Sequence, residues 1–271
     1  MEIERFKFGL FENDFITSGF DELDNITGGW QKGDLIMIAA PKRMGKTAFA
    51  LSMLHNHIVK NSNSFIWLST FLSTNQFSKM FYCNHTQWKI EEIIKSKLND
   101  TLTNEVKELF RLNDFYFHDK PNLNCIKIQQ ILESFNPDTM PECVIIDNLN
   151  YLEFNDLDKI ANEELTNKKL FELKGIARKF NIVIIVLFDC EFPEIAGKDE
   201  FCVDFIKLNF DKSLIDTLCF IYRPEYYKVV ETEVGESTLG KAFFIVGINR
   251  GLTGSVLFDY NSRIFSFKQC S

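Results

Sequence analysis

The sequence predicts an α/β fold: a mostly parallel central sheet with helices on both faces and a C-terminal antiparallel hairpin. Three observations carry this. Short, wholly apolar runs alternate with longer segments of helical period, the pattern of parallel strands buried on both faces. One of these runs, Leu35–Ala40, leads through a glycine-containing loop straight into a helical run, Thr47–Val59, forming a strand–loop–helix unit. Late in the chain, Lys241–Ile248 and Ser255–Tyr260 flank Asn-Arg-Gly-Leu-Thr-Gly, a hairpin signal.

Taken in order, residues 1–16 alternate apolar and polar at Phe6, Phe8 and Leu10. They read either as an edge strand of their own domain or as an arm that docks on a neighbouring subunit. The expected organisation is therefore an arm over 1–14 and one domain over 15–271. Ser64–Ser69 reads as a second buried strand, and Gln87–Phe110 as two charged amphipathic helices broken at Asn-Asp-Thr. Phe115–His118 is a short strand. Cys125–Phe135 has helical spacing at Ile128, Ile131 and Leu132. Cys143–Asp147 is an apolar strand ending in an acid, Glu163–Phe180 a helix, and Ile182–Phe188 and Thr217–Tyr222 further central strands.

The 271 residues suffice for one large core. Hydrophobic residues make up 45% and charged residues 25%, as in ordinary globular proteins. The 28 phenylalanines are an excess for which the sequence offers no functional account. A net charge of −8 argues against a free, strongly basic nucleic-acid binder, though not against a local basic channel. The seven cysteines, at 83, 125, 143, 190, 202, 219 and 270, form no C-x-x-C pair, and most sit in apolar runs. They read as thiols of a reducing compartment, not as disulfides or metal ligands. With no signal peptide and no apolar run near the roughly 20 residues that span a bilayer, the expected location is the cytoplasm, with no membrane partner.

The chemistry concentrates in Ala40-Pro41-Lys42-Arg43-Met44-Gly45-Lys46-Thr47. This reads as a phosphate-binding loop with Ala40 at the usual first glycine, the alternative being an ordinary βα turn. Loop N–H groups and a helix N-terminus form an anion cradle. Lys46 is placed to reach terminal phosphates, and the Thr47 hydroxyl to hold Mg²⁺. Val144-Ile145-Ile146-Asp147 supplies the second half of such a site: an acid at the carboxyl end of a central strand, able to hold Mg²⁺ through a bound water. ATP and Mg²⁺ are the expected ligands.

The stretch Thr17–Leu51, with Met-Gly-Lys-Thr closing the loop and a Gly-Gly turn before the strand, resembles the C-terminal RecA-like motor domain of DnaB-type replicative helicases. So does Tyr222-Arg223-Pro224-Glu225-Tyr226-Tyr227, and the resemblance runs over about residues 15–267. It implies an ATP-driven DNA helicase motor working on single-stranded DNA as a homo-hexamer. A weakened, ATP-binding relative that acts as a switch, loader or partner of a true helicase is the other reading.

Departures from the family pattern bear on that choice. Thr70 stands where the family has its catalytic Glu, and a hydroxyl near its normal pKa cannot polarise water as a carboxylate does. Asp189 ends its strand where the family has a Gln that senses the γ-phosphate, and a carboxylate there repels that group. In the terminal hairpin, the family's Lys and Arg positions hold Gly247 and Asn249. Arg250 is one residue out of step, able to substitute only if a bulge or the turn restores its direction. Arg223 reads either as a contact to nucleotide or neighbouring subunit, or as a salt bridge to Glu225 or Asp216. Lys42 and Arg43 add charge at the loop apex, Arg43 either as a finger in cis or as a solvated side chain. On the resemblance, Lys46, Asp147, Asp189 and Arg250 are the catalytic candidates. Residues 40–47 with Arg223 are the nucleotide contacts, and Thr47 and Asp147 the metal ligands.

Overall fold

A computed structural model of the chain describes residues 15–60, 63–95, 100–154, 162–192, 208–232 and 235–270. The expected N-terminal arm, 1–14, lies outside them. The elements are β1 (Phe15–Ile16), α1 (Asp21–Thr27), β2 (Trp30–Gln31), β3 (Leu35–Ala40), α2 (Lys46–Lys60), β4 (Phe65–Ser69), α3 (Thr74–Thr86), α4 (Ile90–Lys95), α5 (Asp100–Leu112), β5 (Phe115–His118), α6 (Cys125–Glu133), β6 (Cys143–Asp147), α7 (Asn162–Phe180), β7 (Val183–Asp189), β8 (Thr217–Tyr222), β9 (Lys241–Ile248), β10 (Gly254–Asn261) and β11 (Ser266–Gln269).

Nine strands form one sheet in the order β11-β10-β9-β8-β3-β7-β6-β4-β5. From β8 to β5 the pairing is parallel; β9, β10 and β11 add antiparallel. The chain leaves β3 towards β4 and β5, then returns through β6 and β7 to β8. Right-handed crossovers taken in opposite directions put α2–α5 on one face and α6–α7 on the other. The mostly parallel sheet with a late hairpin, expected from the sequence, is thus the architecture, and the hairpin extends to a third strand.

Burial explains the strand assignments. Every residue of β3, β4, β6 and β8 is buried, so hydrophobic driving force acts on both faces. In β9 only alternate residues are buried, as suits a strand with one face towards solvent. The phenylalanine excess acquires a packing account. Phe49 of α2 stacks on Phe244 with centroids 4.1 Å apart and meets Phe258 and Phe267 edge-on, joining α2 to the antiparallel strands. Phe77, Phe81, Phe110 and Phe115 form a second stack under α3 and α5.

Helix α3 was not anticipated from the sequence. Its start is fixed by Ser73, whose side chain accepts from the Gln76 N–H while the Gln76 side chain accepts from the Ser73 N–H. The four cysteines at 83, 125, 143 and 219 are buried free thiols; Cys202 lies outside the described residues. No helix among the described residues is long and apolar enough to cross a membrane.

Candidate nucleotide-binding site

β3 delivers Ala40 to the carboxyl edge of the sheet, between the ends of β7 and β8 and one strand away from β6. From there the chain turns through Pro41–Gly45 into α2, whose first residue is Lys46. Gly45 adopts φ 110°, and a Cβ there would meet the Phe267 ring at 3.0 Å, so glycine is required on both counts. Met44 is buried beneath the loop, while Lys42 and Arg43 stand exposed at its apex. Arg43 has φ 65°.

Lys46 is buried, and its ammonium donates to Ala40 O at 2.7 Å and Pro41 O at 2.9 Å. It also pairs with Asp189 Oδ1 at 2.8 Å. The sheet register makes this third contact, since Ala40 lies directly opposite Asp189 in the β3–β7 pair. The backbone of Asp189 is held on both sides by one amide: Asn150 Oδ1 accepts from Asp189 N–H at 2.7 Å, and Asn150 Nδ2 donates to Asp189 O at 3.1 Å.

Across the crevice, the Thr47 hydroxyl donates to Asp147 Oδ2 at 3.0 Å, joining the first turn of α2 to the end of β6. Asp147 is 1% exposed. Burial pushes its carboxyl up to about 7, the Thr47 hydrogen bond and Lys46 pull it down, and Asp189 pushes it up again. A hydroxyl and a carboxylate in this relation form a hard-oxygen donor set suited to Mg²⁺. A buried carboxylate short of counter-charge gains from a cation there. A cavity of about 700 Å³ opens over the loop, lined by Gly45, Lys46, Thr47, Asp147, Asp189 and Tyr260 among others. This volume accepts a nucleotide.

The structure thus brings Lys46, Thr47, Asp147 and Asp189 together around the 40–47 loop. Arg223 also reaches this loop. It donates to Arg43 O at 3.3 Å, stacks over the Tyr260 ring at 4.3 Å and pairs with Glu225. Asp216, the other partner weighed for it, pairs instead with Lys174 and Arg250. Lys42 Nζ lies 5.5 Å from the Tyr151 ring centroid at the rim.

Arg250 is not brought to this site. A register shift between Leu218 and Cys219 does place a bulge in the β8–β9 pair, yet the side chain turns to the opposite end of the sheet. There it bonds Gln31 Oε1 at 2.5 Å, Asp216 Oδ1 at 2.9 Å and Asp34. Thr70 is also directed elsewhere. Its hydroxyl donates to Asp147 O at 3.1 Å and accepts from Asn148 N–H at 3.0 Å, bracing the ends of β4 and β6. Among the described lining residues of the cavity, the carboxylates are Asp147 and Asp189. Sequence reasoning missed Asn150 as the support for Asp189, and Tyr260 under Arg223. Neither belongs to a spaced motif, and both depend on strand register.

A phosphate loop at the end of a central strand, with the hydroxyl that closes it bonded to a carboxylate at the end of β6, defines a P-loop nucleotide-binding domain of RecA-like fold. Residues 16–191 match the family model for the DnaB-like helicase C terminal domain, and the chain belongs to that family. Among curated proteins, the replicative DNA helicase DnaC of Bacillus subtilis is 25% identical over 218 residues, 78% of this chain and 48% of that protein. A probable replicative DNA helicase of Trieres chinensis is 30% identical over 178 residues, 64% of this chain and 39% of that protein. The chain therefore spans about half, or less, of the curated relatives it matches. A solved structure of an isolated ATPase domain superposes with a TM-score of 0.79 at 20% identity, covering 94% of this chain and 90% of that one. A DnaB-like replicative helicase solved in a study of its interactions with primase superposes with a TM-score of 0.78 at 20% identity, covering 94% and 61%.

Proposed function

We propose that this DnaB-like motor domain binds MgATP at the 40–47 loop and couples it to movement along single-stranded DNA within a ring of identical copies. The observation that carries the reading is the Thr47–Asp147 pair facing Lys46 across one cavity. Each residue has a distinct task. The loop N–H groups and the start of α2 orient the phosphates. Lys46 exchanges a carbonyl partner for a phosphate oxygen, and Thr47 and Asp147 hold the metal. When bound, Mg²⁺ neutralises charge that develops on the transferred phosphoryl group. Arg223, seated against Arg43 O, steadies the loop apex.

Thr70 favours a second reading. With its hydroxyl committed to the β6 backbone, the site lacks a carboxylate base at that position, a loss of about 10²–10⁴ in rate for a general base. The chain then serves as an ATP-binding switch, loader or partner of an active helicase.

Calorimetry with MgADP and MgATP tests the shared premise. Binding by the intact chain and its loss in Lys46→Ala are expected, and no heat from either nucleotide sinks both readings. Phosphate release measured with light scattering, with and without single-stranded DNA, separates them. A DNA-stimulated hexamer supports the motor, and nucleotide binding by a monomer without turnover supports the switch.

A further inference from the structure

We infer that Asp189 makes this site selective for a nucleoside diphosphate over the triphosphate, by occupying the place and the counter-charge that a third phosphate needs. The inference rests on nucleotide binding at the 40–47 loop and specifies which nucleotide the loop prefers.

The ammonium of Lys46 has three N–H donors, and all three are used. Two go to Ala40 O and Pro41 O, and the third to Asp189 Oδ1 at 2.8 Å. The pair is poorly solvated, with side-chain exposures of 7% for Lys46 and 14% for Asp189. In a P-loop the backbone amides cradle the inner phosphates, and the lysine reaches towards the outermost ones. A diphosphate sits on the amides of residues 44–47. Lys46 contacts it by giving up one carbonyl partner and keeps Asp189.

A third phosphate must extend from the loop past Lys46 towards the ends of β6 and β7. That space is bordered by Asp147 and Asp189. Asp147 is compensated there by Thr47 and a divalent cation. Asp189 is compensated less, because Lys46 is then shared between the carboxylate and the phosphate, and the other cation that acts on it, Lys42, stands exposed to water at the loop apex. Two oxyanions on one ammonium lie about 5 Å apart, and at an effective dielectric of about 20 each unit of like charge repels enough to weaken binding more than tenfold.

Asp189 has little freedom to withdraw. Its backbone N–H and carbonyl are both held by Asn150, and its strand pairs with β3 up to this residue. Retraction of the carboxylate breaks a buried ion pair or shifts the end of β7.

The experiment measures dissociation constants for MgADP and MgATP by calorimetry on the intact chain and on Asp189→Asn and Asp189→Glu. The wild type is expected to bind MgADP at least tenfold tighter than MgATP. Asp189→Asn keeps a hydrogen-bond acceptor for Lys46 and removes the charge. It is expected to bring the two constants within about threefold, chiefly by tightening MgATP. Asp189→Glu keeps the charge and is expected to keep the preference. Equal affinities in the wild type overturn the inference whether or not the variants fold, as does a ratio unmoved in Asp189→Asn. If neither nucleotide binds any of the three proteins, the loop is not a nucleotide site and the inference falls with that reading.

Discussion

Replacing Arg250 by alanine tests whether this residue is a fixed part of the fold or a side chain free to act elsewhere. Its guanidinium bonds Gln31, Asp34 and Asp216, and the two carboxylates are 6% and 15% exposed while Arg250 itself is 49% exposed. Burial works against the Asp216 charge. The Leu35 N–H, Lys174 and Arg250 nevertheless hold its carboxyl below the usual range. Asp34 lies above that range, through burial and the charge of Asp216. Removing one partner of a fully buried pair costs about 3–5 kcal/mol, whereas a surface pair contributes about 0–1 kcal/mol.

Here Lys174 still holds Asp216 at 2.5 Å, so Asp34 is the group left short. It keeps the Gln31 N–H at 3.0 Å. Because water reaches the half-exposed position, the loss lies between the two limits, about 1.5–3 kcal/mol. For a domain of this size that is about 3–5 °C in Tm. Urea and thermal unfolding followed by circular dichroism measure it, with an unchanged m-value confirming the same unfolded state. Adding Asp34→Asn to Arg250→Ala is expected to recover about 1 kcal/mol, because the uncompensated charge is gone. A midpoint that stays put in Arg250→Ala, or a further loss in the double variant, refutes the argument. Unchanged stability with lost turnover returns Arg250 to a role across a subunit boundary.

Thr47→Val keeps the shape of the first helical turn but removes the hydroxyl from Asp147. Nucleotide affinity titrated against MgCl₂ is expected to lose its magnesium dependence, while Thr47→Ser stays within about threefold of wild type. Phe49→Ala empties a fully buried site stacked on Phe244, so urea unfolding is expected to show a loss of about 3–5 kcal/mol. His55, with its ring nitrogen 3.0 Å from that of His85, is pushed down to about 4, first by burial and then by His85. Its folded pKa lies below the unfolded value of about 6.5, so the unfolded chain takes up the proton first. Stability is expected to fall by up to about 3 kcal/mol as pH drops from about 6.5 to about 4. His55→Gln is expected to flatten that part of the profile in urea midpoints taken at several pH values.

Much of the framework was legible because its strands are short apolar runs that end abruptly at turn residues. Leu35–Ala40, Phe115–His118, Thr217–Tyr222 and Lys241–Ile248 have the bounds the sequence suggests. Helix α3 was obscured by polar residues between Phe77 and Phe81, although Ser73 and Gln76 at capping-box spacing marked its start. β11 is four residues behind a tight turn, too short for its alternation to register.

At the site, contiguous residues were readable and cross-strand relations were not. The 40–47 loop and Asp147 stand out as motifs. The Lys46–Asp189 pair requires knowing that β7 lies beside β3 with Ala40 opposite Asp189. The direction of Arg250 depends on a bulge in β9 and on Asp34, more than two hundred residues earlier. No local pattern reports either.

The position of β3 in the sheet has a consequence for biosynthesis. Both of its neighbours, β7 and β8, come late in the chain. A strand with all six residues destined for the interior must therefore wait for roughly 140 more residues, on the order of ten seconds of translation, before its first partner exists. During that interval the emerging polypeptide presents a sticky, unpaired segment just ahead of the loop.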